Sequence, residues 1–135
     1  MARTVLVDTG FLVALLSRRD RYQAWAAAHV AQGPPPWTTC DAVLSEAFHL
    51  LGPRGGAPLA ELLRRDVLVL NFDLRANREA VLALMDKYAD VPMSLADACL
   101  VRMCEILADP VVLTTDADFR RYRRHGRQVV PCLMP

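Results

Sequence analysis

Short runs of β-branched and other apolar residues alternate with helical patterns along this chain. The runs with strand composition are residues 4–7, 37–39, 67–72, 111–114 and 128–130. The segments with helical spacing or composition are residues 11–17, 21–31, 41–51, 59–65, 78–88, 95–107 and 119–124. Such an alternation requires crossover connections, which are right-handed and produce a parallel sheet covered by helices on both faces. The sequence therefore predicts an α/β fold.

The length and composition favour one domain over two. The chain has 135 residues, of which 53% are hydrophobic and 23% charged, so it can bury a substantial core. The segment 95–107 is apolar nearly all round, which predicts deep burial. The prolines at 34–36 and the glycine-rich stretch 52–56 are interpreted as connections within the domain. We therefore predict a single domain over residues 1–135.

Neither a membrane span nor a secretory signal is predicted, which favours a cytoplasmic protein. The apolar runs are too short to cross a membrane. Asp8 interrupts the first of them, and charged residues at 18–21 follow the second, unlike the pattern of a signal peptide. The four cysteines contain no C-x-x-C pair and are expected to be free thiols: Cys40, Cys99, Cys104 and Cys132.

Arginines are concentrated near the C-terminus, although the net charge of the chain is only +1. The cluster consists of Arg120, Arg121, Arg123, Arg124 and Arg127. One interpretation is a solvated helix face, on which Arg120 and Arg124 are spaced i, i+4. The other is a set of phosphate contacts next to Asp116, with Arg120, Arg121 and Arg124 as the candidate RNA-binding residues.

Four acidic residues stand at positions where chemistry is expected in an α/β fold. Asp8 and Asp116 follow predicted strands, and ligands of open α/β sheets gather beyond the carboxyl ends of the strands. Asp97 lies near the start of the apolar helix 95–107, and Glu46 lies at the margin of the apolar stripe of helix 41–51. Each has a structural explanation when taken alone, as a helix cap or as a solvated residue.

Taken together, the four acids predict a metal site. Two carboxylates about 4 Å apart repel each other by roughly 4 kcal/mol at an effective dielectric constant near 20. Such a cluster is tolerated when some of the acids are protonated or when a cation lies among them. Hard oxygen ligands without a suitable His or Cys favour Mg²⁺ or Mn²⁺, ions that activate water in phosphodiester hydrolysis.

Four short sequence blocks surround these acids: residues 7–10 (VDTG), 44–47 (LSEA), 95–98 (LADA) and 114–119 (TTDADF). Together they resemble the PIN-domain family, most closely its VapC-type toxins from toxin–antitoxin pairs. One block alone is weak, but the four in this order and spacing cover the length of the chain. The resemblance implies a metal-dependent ribonuclease that is the toxin of a toxin–antitoxin pair. The expected partners are an RNA substrate, a cognate antitoxin and a second copy in a homodimer.

The resemblance also implies a role for each acid. Asp8 and Asp97 would be the chief metal ligands, and Asp116 would bind a second ion or hold a metal-bound water. Glu46 would complete the site or orient water. Thr9 and Thr115 would steady neighbouring carboxylates through their hydroxyls. The role of Asp118 stays open, since it matches a more variable position, and Gly10 stands where the family often has a small polar residue.

The implied fold is a five-stranded parallel sheet of order 3-2-1-4-5, which places Asp8 beside Asp116. Two other families with an acid after the first strand fit less well. A haloacid-dehalogenase-type phosphatase would need a second Asp at position 10, which is Gly, and a receiver domain would need a late Lys, whereas the only lysine is Lys87. A PIN-like module that binds RNA or protein without cutting it remains an alternative.

Overall fold

A computed structural model describes residues 3–135 and contains the predicted parallel sheet. Its strands are β1 (Thr4–Val7), β2 (Trp37–Thr39), β3 (Leu68–Leu70), β4 (Pro110–Leu113), β5 (Arg123–Arg124), β6 (Gln128–Val129) and β7 (Cys132–Leu133). Five strands form the main sheet in the order β3-β2-β1-β4-β7, all parallel. The predicted α/β class and the predicted order are confirmed, with β7 as the fifth strand of this sheet.

Five α-helices flank the sheet within residues 3–135. They are α1 (Thr9–Leu16), α2 (Gln23–His29), α3 (Asp41–Arg64), α4 (Leu74–Lys87) and α5 (Leu95–Ile106). A short 3₁₀ helix follows β4 at Ala117–Arg120. Helix α5 is buried along almost its whole length, as its composition predicted, and β1 and β4 form the centre of the core beside it. Within residues 3–135, no helix is long and apolar enough to cross a membrane.

Helix α3 covers two segments that the sequence predicts as separate helices. The chain bends at Gly52, where φ is 71° and ψ is −178°, and the helix resumes directly at Pro53. Glycine reaches this left-handed φ without steric cost, and proline is well suited to the first turn of a helix because its missing N–H needs no partner there. The predicted break is therefore a kink, and the predicted loop at 52–56 is mostly helical.

The C-terminal segment differs most from the sequence prediction. A helix over 119–124 is wrong, because the 3₁₀ turn ends at Arg120 and β5 then pairs antiparallel with β6. The strand predicted over 128–130 does form, as β6, but it pairs with β5, and β7 takes the fifth place of the main sheet beside β4. The reversal uses two left-handed residues, His125 (φ 51°) and Gly126 (φ 79°). Long-range pairing decides which of two short apolar runs joins a sheet, and local patterns do not encode it.

Candidate active site

Three of the four predicted acids come together at the C-terminal edge of the sheet. The register pairs Val7 of β1 with Leu113 of β4, so the residues that follow the two strands leave the sheet side by side. Asp8, Asp97 and Asp116 each offer a carboxylate oxygen, and these oxygens lie within 4.8 Å of one another. This separation is compatible with one shared cation site.

Asp8 is the most deeply buried member of this acid cluster, with 5% of its surface exposed. Its Oδ1 accepts a hydrogen bond from the Thr9 N–H (2.7 Å), and its Oδ2 accepts one from the Thr114 hydroxyl (2.7 Å). Burial raises the pKa of Asp8 to about 7, against the lowering effect of the Thr114 hydrogen bond, and the Asp97 carboxylate raises it further. Without a cation, the cluster therefore holds a proton at Asp8 below neutral pH.

Asp97 does not serve as the cap of α5. The Ser94 side chain has that role, since its Oγ accepts a hydrogen bond from the Asp97 N–H (3.0 Å). The Asp97 carboxylate instead accepts a hydrogen bond from the Tyr122 hydroxyl at Oδ2 (2.8 Å). Burial raises the pKa of Asp97, the Tyr122 hydrogen bond lowers it, and the Asp116 carboxylate adds to the rise. The Asp97 carboxylate is therefore not used as a helix cap.

Asp116 caps a 3₁₀ turn and is also a member of the acid cluster. Its Oδ1 accepts a hydrogen bond from the Asp118 N–H (2.9 Å), which caps the 3₁₀ turn. Its own N–H donates to the Thr114 hydroxyl (3.0 Å), and Thr114 thereby ties Asp116 to Asp8. Asp118 is half-buried and contributes its backbone to this turn. While its Oδ1 caps the turn, the Asp116 carboxylate remains one of the three that converge in the cluster.

Glu46 lies at the rim of the cluster. It is exposed on α3 and is not one of the three carboxylates that converge. Its Oε2 accepts a hydrogen bond from the Thr9 hydroxyl (3.1 Å), the kind of contact predicted for Thr9. The Glu46 carboxylate also contributes to the raised pKa of Asp97, after burial and the nearer groups. Glu46 is thus placed next to the site, further out than the aspartates.

The hydroxyl contact predicted for Thr115 is made by its neighbour. Thr114, fully buried at the end of β4, donates to Asp8, whereas Thr115 packs against α1 at Gly10. A Cβ at position 10 would overlap the Thr115 hydroxyl, so glycine there matches this packing. Alternation along the strand decides which of the two threonines points to the cluster.

The arginine cluster is not a helix face, since its residues lie on the 3₁₀ turn and the β5–β6 hairpin. Arg120 and Arg121 are exposed. Arg124 is half-buried, and its Nη1 donates to the Cys104 carbonyl in the last turn of α5 (3.4 Å). Of the three predicted RNA contacts, Arg124 is therefore the one already engaged by the protein itself. The four cysteines are free thiols, as predicted.

Two site residues, Thr114 and Tyr122, were missed by the sequence analysis. Thr114 directly follows β4 and opens the block 114–119, so its place at the edge of the sheet was a usable signal. Tyr122 lies among the arginines and carried no signal, yet it is fully buried and packs edge-on against Tyr88 and Phe119, with ring centroids 5.2 Å apart in both pairs.

Comparison with known proteins identifies the fold and the family of the chain. The chain resembles the solved structure of Mycobacterium tuberculosis VapC20, described as a sarcin–ricin loop cleaving toxin, with a TM-score of 0.72 and 23% sequence identity over 85% of this chain and 92% of that one. The likeness shows a shared fold. A search of curated protein sequences gave no match. The family model of the PIN domain matches residues 5–125, which include the whole acid cluster. The chain therefore belongs to the PIN domain family.

Proposed function

We propose that this chain, acting as a single domain, is a metal-dependent ribonuclease. The observation that carries the proposal is the convergence of Asp8, Asp97 and Asp116 within 4.8 Å at the sheet edge of a PIN fold. The donor set fits a hard divalent cation, because it consists of carboxylate oxygens alone. The raised pKa of Asp8 supports the same conclusion, since a divalent cation would take the place of the proton held there.

Each residue of the site has a proposed role. Asp8, Asp97 and Asp116 would hold the cation, and Glu46 at the rim would orient the attacking water. A bound Mg²⁺ or Mn²⁺ would supply an activated water and neutralise the charge that develops on the phosphodiester. Thr114 and Tyr122 keep two carboxylates in place through hydrogen bonds. The exposed Arg120 and Arg121 would contact RNA phosphates.

The biological setting proposed is that of a toxin with a cognate antitoxin. The support is the fold shared with VapC20, a toxin described as cleaving the sarcin–ricin loop. A small antitoxin would wrap the toxin and direct a basic side chain at Asp8, Asp97 and Asp116, because the mutual repulsion of these three acids favours binding of a positive charge. A cytoplasmic location and a homodimer are proposed along with this role.

We expect purified protein to cleave a structured RNA only in the presence of a divalent cation. The measurement is single-turnover cleavage of an RNA containing a sarcin–ricin-type loop, with Mg²⁺ or Mn²⁺, with excess EDTA, and after the cation is restored. Undiminished cleavage in EDTA would contradict metal dependence. RNA binding without any cleavage, under conditions that load the metal, would favour the alternative of a PIN-like binding module.

Replacing Tyr122 by Phe is expected to weaken cation binding by roughly tenfold to a hundredfold, because Asp97 loses the hydrogen bond that orients it. The aromatic packing stays, so the fold should stay intact. The measurement is the rise in melting temperature during titration with Mn²⁺. Tyr88→Phe is the matched control, since the Tyr88 hydroxyl accepts from the Arg123 N–H and lies outside the cluster. Equal Mn²⁺ responses of the two variants would show that Tyr122 does not position Asp97.

A further inference from the structure

A groove of about 560 Å³ lies next to the acid cluster, beyond the C-terminal ends of β2 and β3. The first turns of three helices, α3, α4 and α5, form its walls. Its lining includes Cys40, Asp41, Ser45, Phe72, Leu74 and Leu95. Its volume falls within the usual range of pockets that bind small organic groups.

Strand register shows how close the groove is to the acids. Leu6 of β1 is level with Thr38 of β2, and continuation of this register brings Cys40, which follows β2 in the groove wall, level with Asp8, which follows β1. Neighbouring strands are about 4.8 Å apart. A phosphodiester at the acids would place an adjoining nucleotide over the groove.

The walls offer apolar surface together with one positively charged side chain. Leu74 and Leu95 are each 40% exposed, and Phe72 is half-buried beside them. Unstacked bases of single-stranded RNA bind such aromatic and apolar surfaces. Arg75, exposed in the lining of the groove, can contact a neighbouring phosphate. These features favour a nucleotide over a purely apolar peptide side chain.

The polar residues of the groove indicate which base edge would fit. Asp41 and Ser45 are exposed one turn apart on α3 and share a face. The Asp73 carboxylate is engaged as the cap of α4, through the Ala76 N–H (3.3 Å), which leaves Asp41 to meet a ligand. An ionised carboxylate only accepts hydrogen bonds, so it pairs with the N–H groups of a base, and an exocyclic amino group presents two of them. Guanine, adenine and cytosine carry an amino group, whereas uracil offers only its ring N3–H.

We propose that this groove binds an amino-bearing nucleobase of the substrate RNA, next to the cleaved phosphodiester, with Asp41 as the acceptor that reads its edge. The proposal rests on the proposed ribonuclease function, because it assumes that RNA lies across the acid cluster. It adds a base preference at one nucleotide beside the cleavage position.

The test measures binding apart from cleavage. Single-stranded RNAs of one fixed sequence, in which each position in turn carries each of the four bases, are bound to the Asp97→Asn protein, and the affinity is measured by fluorescence anisotropy. We expect uracil at one position to weaken binding by about tenfold. Adding Asp41→Asn should abolish or reverse that discrimination, because the amide can donate to uracil carbonyls. Glu79→Gln, an exposed acid on α4, is the matched control.

The outcomes separate this proposal from the proposed function. An unchanged base preference in the Asp41→Asn protein, with a melting temperature like that of its parent, overturns the groove assignment even if the wild type cleaves RNA. An effect of Asp41→Asn on a protein partner but not on RNA also overturns it, in favour of a protein-binding groove. Base discrimination that depends on Asp41 supports the groove even if wild-type protein fails to cleave, a failure that would count against the ribonuclease alone.

Discussion

Replacing Asp97 by Asn is expected to reduce RNA cleavage by several orders of magnitude while leaving the fold intact. The amide keeps the shape of the side chain, and its oxygen can still accept the Tyr122 hydrogen bond. The negative charge that would hold a cation is lost, and with it the charge stabilisation of the transition state. The Ser94 cap of α5 is untouched, so the helix should begin as before. Removal of a repelling charge should even raise the melting temperature of the metal-free protein.

The measurement is single-turnover cleavage of a structured RNA, with melting temperatures and circular dichroism recorded for the same preparations. Asp90→Asn is the matched control, because Asp90 is exposed and follows α4 outside the cluster. Cleavage near the wild-type rate by the Asp97→Asn protein would remove Asp97 from the proposed metal site. A collapsed melting temperature would instead show that its carboxylate is mainly a structural partner of Tyr122.

The stability of the metal-free protein is expected to fall as the pH rises through neutrality. The pKa of Asp8 is about 7 in the folded chain and 3.8 as its ordinary value, because burial opposes its ionisation. Between these values the folded state binds a proton that the unfolded state does not, so each rise in pH costs the folded state free energy. The contribution of Asp8 to the free energy of unfolding is therefore fully present below about pH 4 and is lost as the pH rises towards 7. From pH 5.5 to pH 8 the expected loss from this group is about 2 kcal/mol.

Denaturant unfolding in EDTA at several pH values measures this effect, and Asp8→Asn is the reference because its side chain does not ionise. The free energy of unfolding is plotted against pH for both proteins, and the difference between the two slopes is due to Asp8, because both proteins contain the same histidines. Mn²⁺ should restore stability to the wild type more strongly at pH 8 than at pH 5.5, because the proton competes with the cation. Parallel pH profiles of the two proteins would show that Asp8 ionises normally in the folded chain.

Local sequence was enough to predict the parallel sheet and the acids that gather at its edge. The short apolar runs of β1 and β4 allow little except buried strands, and α5 is too apolar to lie on a surface. Once the sheet is parallel, residues that follow neighbouring strands must share one edge, as Asp8 and Asp116 do. The exposed position of Glu46, outside the converging three, could not be predicted, because a helix pattern gives the face of a residue and not its distance from another helix.

The tertiary structure alone decided the C-terminal segment and the contacts around the acids. Residues 119–124 have helical composition, but Tyr122 is buried with its hydroxyl on Asp97, and the chain turns into a hairpin rather than a helix. Likewise, Thr114 and not Thr115 donates to Asp8, because successive side chains of extended backbone point in opposite directions and packing of the strand decides which one faces the cluster. Both outcomes depend on partners 25 and 106 residues away along the chain. Propensity and spacing act over a few residues, whereas burial and hydrogen bonding select among local alternatives only once distant segments have packed together.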